Sequence, residues 1–230
     1  MPVPSPRLFL RRWLAALAGA TRIPVTGSLG TWADLQPEIA AESARHLPGV
    51  GVVVGMAACM VFAIVSLPLP LTPLSPLVAG IACIVASVLL TGGRHEQGLA
   101  RWAAGGEPWG GTLALLLVLA AKLALLGVLG LQSAAGVMAA LLAGHTVSRF
   151  WPLLLTGTRA LAIAALWCVV PLSLMLLAGG LPFLLLALVA SGAAFAVLRK
   201  RLREAPDGVH AMQQVGEVAF YLGAAFGVGR

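Results

Sequence analysis

The sequence predicts an all-α integral membrane protein, a polytopic helical bundle of about six or seven transmembrane helices behind an N-terminal interfacial helix. Three observations carry that prediction. The 230 residues are 60% hydrophobic and only 10% charged, whereas an average soluble chain is about a quarter charged. So few ionisable groups do not cover a water-facing surface. No Asp, Glu, Lys or Arg occurs between His46 and Arg94, between Lys122 and Arg149, or between Arg159 and Arg199. Finally, apolar runs of about 20 residues, enough to cross roughly 30 Å of hydrocarbon, recur along the chain. A net charge of +7 would suggest nucleic acid in a soluble protein. Here the basic residues are strung between apolar runs, so the expected partner is the lipid bilayer and no nucleic acid.

The elements follow in order. The stretch over residues 7–23 is apolar but broken by Arg11 and Arg12, which reads as an amphipathic helix lying in the interface. A cleaved signal peptide ending near Ala18-Gly19-Ala20 is the rival reading, and arginines inside its apolar stretch count against it. The first span runs from about Pro48 to Leu67 and stops at Pro68, Pro70, Pro73 and Pro76. A second covers Leu77–Thr91, and a polar loop follows at 92–109. Further spans are expected over Gly110–Leu131, Ala135–Leu155, Ala160–Ala178 and Leu181–Leu198. A basic loop at 199–214, with Arg199, Lys200, Arg201 and Arg203, precedes a last apolar stretch over Val215–Val228.

Threading these spans with Arg7, Arg11, Arg12 and Arg22 on the cytoplasmic side places the charged loops at 92–109, 149–159 and 199–214 on that side too. The opposite loops, at 68–76, 131–135 and 179–182, carry no charge. That segregation is what the positive-inside rule predicts, so the N-terminus and the polar loops are expected in the cytoplasm and the chain in the cell inner membrane. No repeat or low-complexity linker divides residues 1–230, which read as one membrane-embedded domain. Gly51 with Gly55, and Gly223 with Gly227, are spaced to let helix backbones approach closely. Cys59, Cys83 and Cys168 all lie in apolar stretches and read as small core residues rather than a disulfide or metal set.

Ionisable residues at membrane depth are costly and are functional candidates. Lys122 lies mid-span; it is either part of a site or a tether paired with a carboxylate such as Glu217. His145, Ser148 and Arg149 fall at i, i+3 and i+4 on one helix face, where a guanidinium suits a phosphate or anchors a helix end. The stretch Thr91-Gly92-Gly93-Arg94-His95-Glu96-Gln97-Gly98-Leu99-Ala100-Arg101 offers glycines for close backbone approach. His95 and Glu96 within it are able to ligate a metal or move a proton. Asp207, His210, Gln214 and Glu217 form the other polar cluster, the last three at helical spacing; a solvated helix start is its alternative.

Together these segments resemble the cobalamin synthase (adenosylcobinamide-GDP ribazoletransferase) family over most of the chain. Ala20-Thr21-Arg22-Ile23-Pro24-Val25 is similar to the family's F-x-T-R-[IL]-P-V, and Arg45-His46-Leu47-Pro48-Gly49-Val50-Gly51 to its F-P-x-x-G. Thr91–Ala100 falls on T-G-[GA]-x-H-x-D-G-L-A-D-x-x-D-G. Gly110-Gly111, the Leu-rich run behind it and Lys122 resemble the following span. Ser148-Arg149-Phe150-Trp151-Pro152 resembles the S-R segment, and Asp207–Ala211 with Gly216-Glu217 the G-D-x-x-G-A and G-E pattern.

The resemblance implies transfer of the cobinamide phosphate from its GDP-activated form to α-ribazole or its 5′-phosphate, with release of GMP. It implies His95, Glu96 and Arg101 as catalytic residues, and Arg45, Gly98, Ser148, Arg149 and His210 as substrate- and phosphate-binding. Mg²⁺ would be held by Glu96, Asp207 and Glu217. The implied partners are adenosylcobinamide-GDP, α-ribazole and, further out, other cobalamin-assembly enzymes. Three signature aspartates are replaced here, by Gln97, Arg101 and Ala104. A segment before Gly110 is missing, and the chain after Pro152 is shortened. Three readings therefore stand: a transferase with a rebuilt site, a paralogue that binds a cobamide precursor or partner enzyme without turnover, and a small membrane transporter.

Overall fold

A computed structural model describes residues 5–33, 39, 42–157 and 161–228, and among them no strand occurs. In chain order the elements are α1 (Pro6–Ala20), α2 (Gly27–Ala33), a 3-10 turn at Ser43–His46, and α3 (Leu47–Ser66). Then come α4 (Ser75–Thr91), α5 (Arg94–Ala104), α6 (Pro108–Gln132), α7 (Ala134–Val147), α8 (Trp151–Leu155), α9 (Leu161–Arg203) and α10 (Gly208–Gly227). Arg159, counted above among the loop charges, lies outside the described residues.

The sequence dictates most helix starts. Proline stands in the first turn of α1, α3, α4, α6 and α8, where its missing N–H would have had no helical partner. Ser5 and Ser133 cap α1 and α7 by accepting the amides of Leu8 and Gly136, satisfying donors that the first turn leaves open.

Among the described residues four helices are long and apolar enough to cross a membrane: Ser43–Ser66, Trp109–Gln132, Ala134–Leu155 and Leu161–Arg203. A fifth joins them if α4 and α5, bent by 91° at their junction, form one broken span. The expected count of six to seven is not confirmed. Two of the expected spans, 160–178 and 181–198, fall within the 43 residues of α9. The helix breaks there at Gly180, whose φ of 77° and ψ of −177° are non-helical. Cys168 and Leu188 line one cavity of about 210 Å³, although 20 residues of straight helix would separate them by about 30 Å; the two halves of α9 therefore fold back on each other. The last expected span, α10, carries His210, Gln213, Gln214 and Glu217 on a single helix, and it is too polar to count.

The two glycine pairs lie at helix crossings. A side chain on Gly51 would collide with the backbone of His145 and Thr146, and one on Gly55 with Leu142, so α3 lies directly on α7. Gly223 and Gly227 bring α10 equally close to Leu186, Ala187 and Phe183 of α9. The core between these helices holds Phe62, Leu141, Met175, Phe183, Phe220 and Tyr221.

Two expected loops are largely helix. The polar stretch 92–109 contains α5, because Gly92 and Gly93 both adopt left-handed φ (71° and 67°) and restart the chain at a sharp angle. Only glycine takes two such residues in succession without strain. His95, Gly98 and Leu99 face inward from α5, while Arg94, Gln97 and Arg101 face out. The basic stretch 199–214 is helical up to Arg203 and again from Gly208, since Leu202 is buried against Leu99, Ala211 and Met212. α1 forms as expected and packs Leu14, Ala16 and Leu17 against Val50 and Val54 of α3.

Candidate active site

Four helices and one turn bring polar side chains to one point inside the bundle. Lys122 comes from the middle of α6, His145 from the last turn of α7, and Arg149 from the turn after it. Gln214, Glu217 and Tyr221 follow one another along α10, and α5 supplies His95 and Glu96. Lys122 is only 5% exposed and Glu217 only 3%. Charges so placed persist only when paired and hydrogen-bonded, and here they are. Lys122 Nζ lies 3.1 Å from Glu217 Oε2 and donates to Gln214 Oε1 at 2.6 Å. Glu217 also accepts the Tyr221 hydroxyl at 3.1 Å and lies 3.6 Å from His145 Nδ1. Gln214 passes its amide hydrogen to Glu96 Oε1 at 2.9 Å. The tether weighed for Lys122 is thus a buried ion pair, and it joins α6 to α10.

The network is not fully satisfied. Glu96 Oε2, His95 Nε2 and Arg149 Nε are buried without a hydrogen-bond partner. Arg149 anchors itself by donating to the His145 carbonyl at 2.7 Å. These groups border a cavity of about 10 Å³ lined by Ser87, Thr91, Lys122, His145, Gln213 and Glu217 as well. A second cavity of about 10 Å³ continues past Lys122 and His145 toward Cys83 and Tyr221. Each has room for about one water molecule.

The rim is formed by α5 against α10. Gly98 lies so close to His210 that a methyl group there would strike the imidazole. His95 and His210 face each other through their Nδ1 atoms at 3.1 Å. Farther out, Arg101 donates Nε–H and an Nη2–H to the two carboxylate oxygens of Asp207, both at 2.8 Å. Those two bonds hold the Asp207 carboxyl below its ordinary value.

The residues singled out from sequence divide accordingly. His95, Glu96, Arg149 and Glu217 meet at the cavity. His210 reaches it only through His95, and Gly98 supplies closeness rather than a ligand. Ser148 is fully buried and its hydroxyl turns back to the His145 carbonyl at 3.4 Å. Arg101 is on the rim, 57% exposed, with its charge spent on Asp207. Arg45 is elsewhere, paired with Glu42 at 3.1 Å.

The metal set does not assemble. Among the described residues no three His, Cys, Asp or Glu side chains come close enough to hold one ion. Glu96 and Glu217 share a cavity, while Asp207 faces Arg101. Glu217 is already neutralised by Lys122, so these residues do not fit Mg²⁺. Thr91, which opens the signature stretch, lines the cavity too, whereas Ser87, Gln213 and Tyr221 were not found from sequence. Tyr221 had a usable signal: it is the chain's one tyrosine and lies one helical turn after Glu217.

The family profile described as cobalamin-5-phosphate synthase matches residues 12–105. Three relatives bear the name adenosylcobinamide-GDP ribazoletransferase. One from Polaromonas sp. strain JS666 is 38% identical over 94% of this chain and 97% of its own length. One from Albidiferax ferrireducens is 36% identical over 96% and 99%. One from Polaromonas naphthalenivorans is 39% identical over 94% and 98%. The first alignment is 276 positions long, whereas 94% of this chain is about 216 residues, so about 60 positions are filled by the relative alone. The profile match ends at residue 105, close to the point before Gly110 where the sequence is expected to lack a family segment. No solved structure matches.

Proposed function

The chain belongs to the adenosylcobinamide-GDP ribazoletransferase family, and from that premise we propose that it transfers the cobinamide phosphate of adenosylcobinamide-GDP to the hydroxyl of α-ribazole or its 5′-phosphate. The ribazole oxygen bonds to the cobinamide-side phosphorus. The bond from that phosphorus to the bridging diphosphate oxygen breaks, and GMP leaves with the electron pair. Glu96 Oε2 accepts the hydroxyl proton, which passes on to solvent. Arg149 and Lys122 face the charge that develops on the phosphoryl oxygens, where fixed cations in a water-poor site are most effective. Gln214 and Glu217 hold Lys122 in place. No step is routed through a metal ion, because the residues present do not fit one.

The observation that carries this reading is the convergence of His95, Glu96, Lys122, Arg149 and Glu217, drawn from separate family segments, on one buried polar cavity. Cavities of about 10 Å³ do not admit a nucleotide, which needs roughly 300 Å³ or more. Substrate entry therefore requires α5 to move away from α10, with glycines at 92, 93, 105 and 106, all at positive φ, marking its two ends. The same proposal has the multi-pass chain lie in the cell inner membrane with α5 facing the cytoplasm; the charge-free loops at the opposite end support that sidedness.

The test is turnover in liposomes with adenosylcobinamide-GDP and α-ribazole phosphate. Equal amounts of GMP and cobamide product support the proposal; folded protein that yields neither refutes it. A second reading, binding without turnover, is favoured by Arg101, which ties up Asp207 where the signature carries an aspartate. It predicts saturable binding of the cobinamide substrate with no GMP released.

A further inference from the structure

A second group of polar side chains sits where α1, the Ser43–His46 turn and the first half of α9 meet. Aromatic rings enclose it. Phe9 meets His46 edge-on with ring centres 4.6 Å apart and stacks on Trp167 at 5.7 Å, and Trp13 stacks on Trp167 at 6.2 Å. His46 is fully buried. The Trp167 indole donates to His46 Nδ1 at 3.4 Å. A neutral imidazole that accepts at Nδ1 carries its proton on Nε2, and that Nε2–H is buried with no partner. The Trp13 indole N–H and the Arg12 Nε–H are buried and unpartnered as well.

Charge points the same way. Among the described residues, Arg12 and Arg45 both pair with the carboxylate of Glu42, two guanidiniums to one carboxylate. Both guanidiniums lie within electrostatic reach of His46. Buried N–H groups in folded proteins nearly always find an acceptor, yet this cluster offers three donors and two guanidiniums. A phosphate group supplies several acceptor oxygens and negative charge at once, in a geometry that guanidinium matches.

We propose that Arg12, Trp13 and His46, with Arg45 beside them, bind a phosphate oxyanion at a site separate from the Lys122–Glu217 cluster. The proposal does not depend on the transferase reading. Two sources present this chemistry: the headgroup of an anionic phospholipid, which an interfacial α1 would meet, and a soluble phosphate compound.

The whole chain in nanodiscs decides between them. In one arm the lipid is phosphatidylcholine, and inorganic phosphate or pyrophosphate is added while thermal unfolding is followed. In the other, phosphatidylglycerol is mixed into the disc and no phosphate is added. The wild-type chain is expected to gain stability in one arm, and that arm names the source. Arg12→Gln and Trp13→Phe are expected to need about tenfold more ligand for the same gain, one lost charged or neutral hydrogen bond each. Trp13→Phe keeps the stacked ring and deletes the N–H, so it decides the matter if Arg12→Gln fails to fold. No gain in either arm, or an equal gain in wild type and Trp13→Phe, overturns the proposal.

Discussion

Replacing Lys122 with methionine removes one charge from the bundle while keeping the length of the side chain. At 3.1 Å from Glu217 and an effective dielectric of about 20, the lost attraction is about 5 kcal/mol. Part of that gain is offset in the native protein by the cost of desolvating both ions, but the variant keeps the Glu217 desolvation and loses its partner. Breaking one side of a buried pair costs about 3–5 kcal/mol. The lower part of that range applies, because His145 at 3.6 Å and the Tyr221 hydroxyl at 3.1 Å still face the carboxylate. At about 2–4 °C per kcal/mol for a chain of this size, Lys122→Met should unfold about 10 °C lower in detergent, followed by tryptophan fluorescence. The double variant Lys122→Met/Glu217→Gln should recover more than half of the loss, since no unpaired charge remains. A single variant within 2 °C of wild type (against that ~10 °C), or a double variant no better than the single, would refute the pairing.

Other outcomes follow from the same geometry. Gly98→Leu drives a branched side chain into His210 and should cost about 1–3 kcal/mol while exposing the cavity to solvent, read as lower unfolding temperature and faster hydrogen exchange at Glu96 and Gln97. Arg101→Ala breaks an exposed, solvent-screened pair and should lower the unfolding temperature only slightly. Asp207, held below its ordinary value by Arg101, stabilises the fold fully above the unfolded carboxylate value, and that stability is lost as pH falls through the lowered value. The wild-type advantage over Arg101→Ala should therefore be constant near neutrality and vanish only in strong acid, measured by unfolding at a series of pH values. Chelators should leave the unfolding temperature of the substrate-free protein unchanged, because Glu96, Asp207 and Glu217 do not close around one ion; a Mg²⁺-dependent rise would contradict the site geometry.

The apolar runs were legible because membrane spans need only length and hydrophobicity, and the Gly51/Gly55 and Gly223/Gly227 pairs carried their own packing logic. The 92–109 and 199–214 stretches were not, since charge marks a segment as solvent-facing without saying that one face of it turns inward. In α5 that face is two residues, His95 and Leu99, beside a glycine. The fold-back within α9 depends on one glycine, Gly180, in a run that reads as apolar on both sides. At the site, the membrane-depth rule found Lys122, and helical spacing found Gln214 and Glu217. Spacing could not say that Asp207, three residues before His210, would turn to Arg101 instead of the cavity, because that choice is made by a guanidinium 106 positions away in the chain.

The most direct test of the account is turnover by Glu96→Gln and Asp207→Asn, assayed side by side with wild type for GMP and cobamide product in liposomes. If the chemistry sits in the buried cavity with Glu96 taking the proton, Glu96→Gln should lose about 100-fold or more in kcat, while Asp207→Asn, on the rim, stays within about tenfold of wild type. An inactive Asp207→Asn beside an active Glu96→Gln would place the reaction outside the cavity and contradict the account.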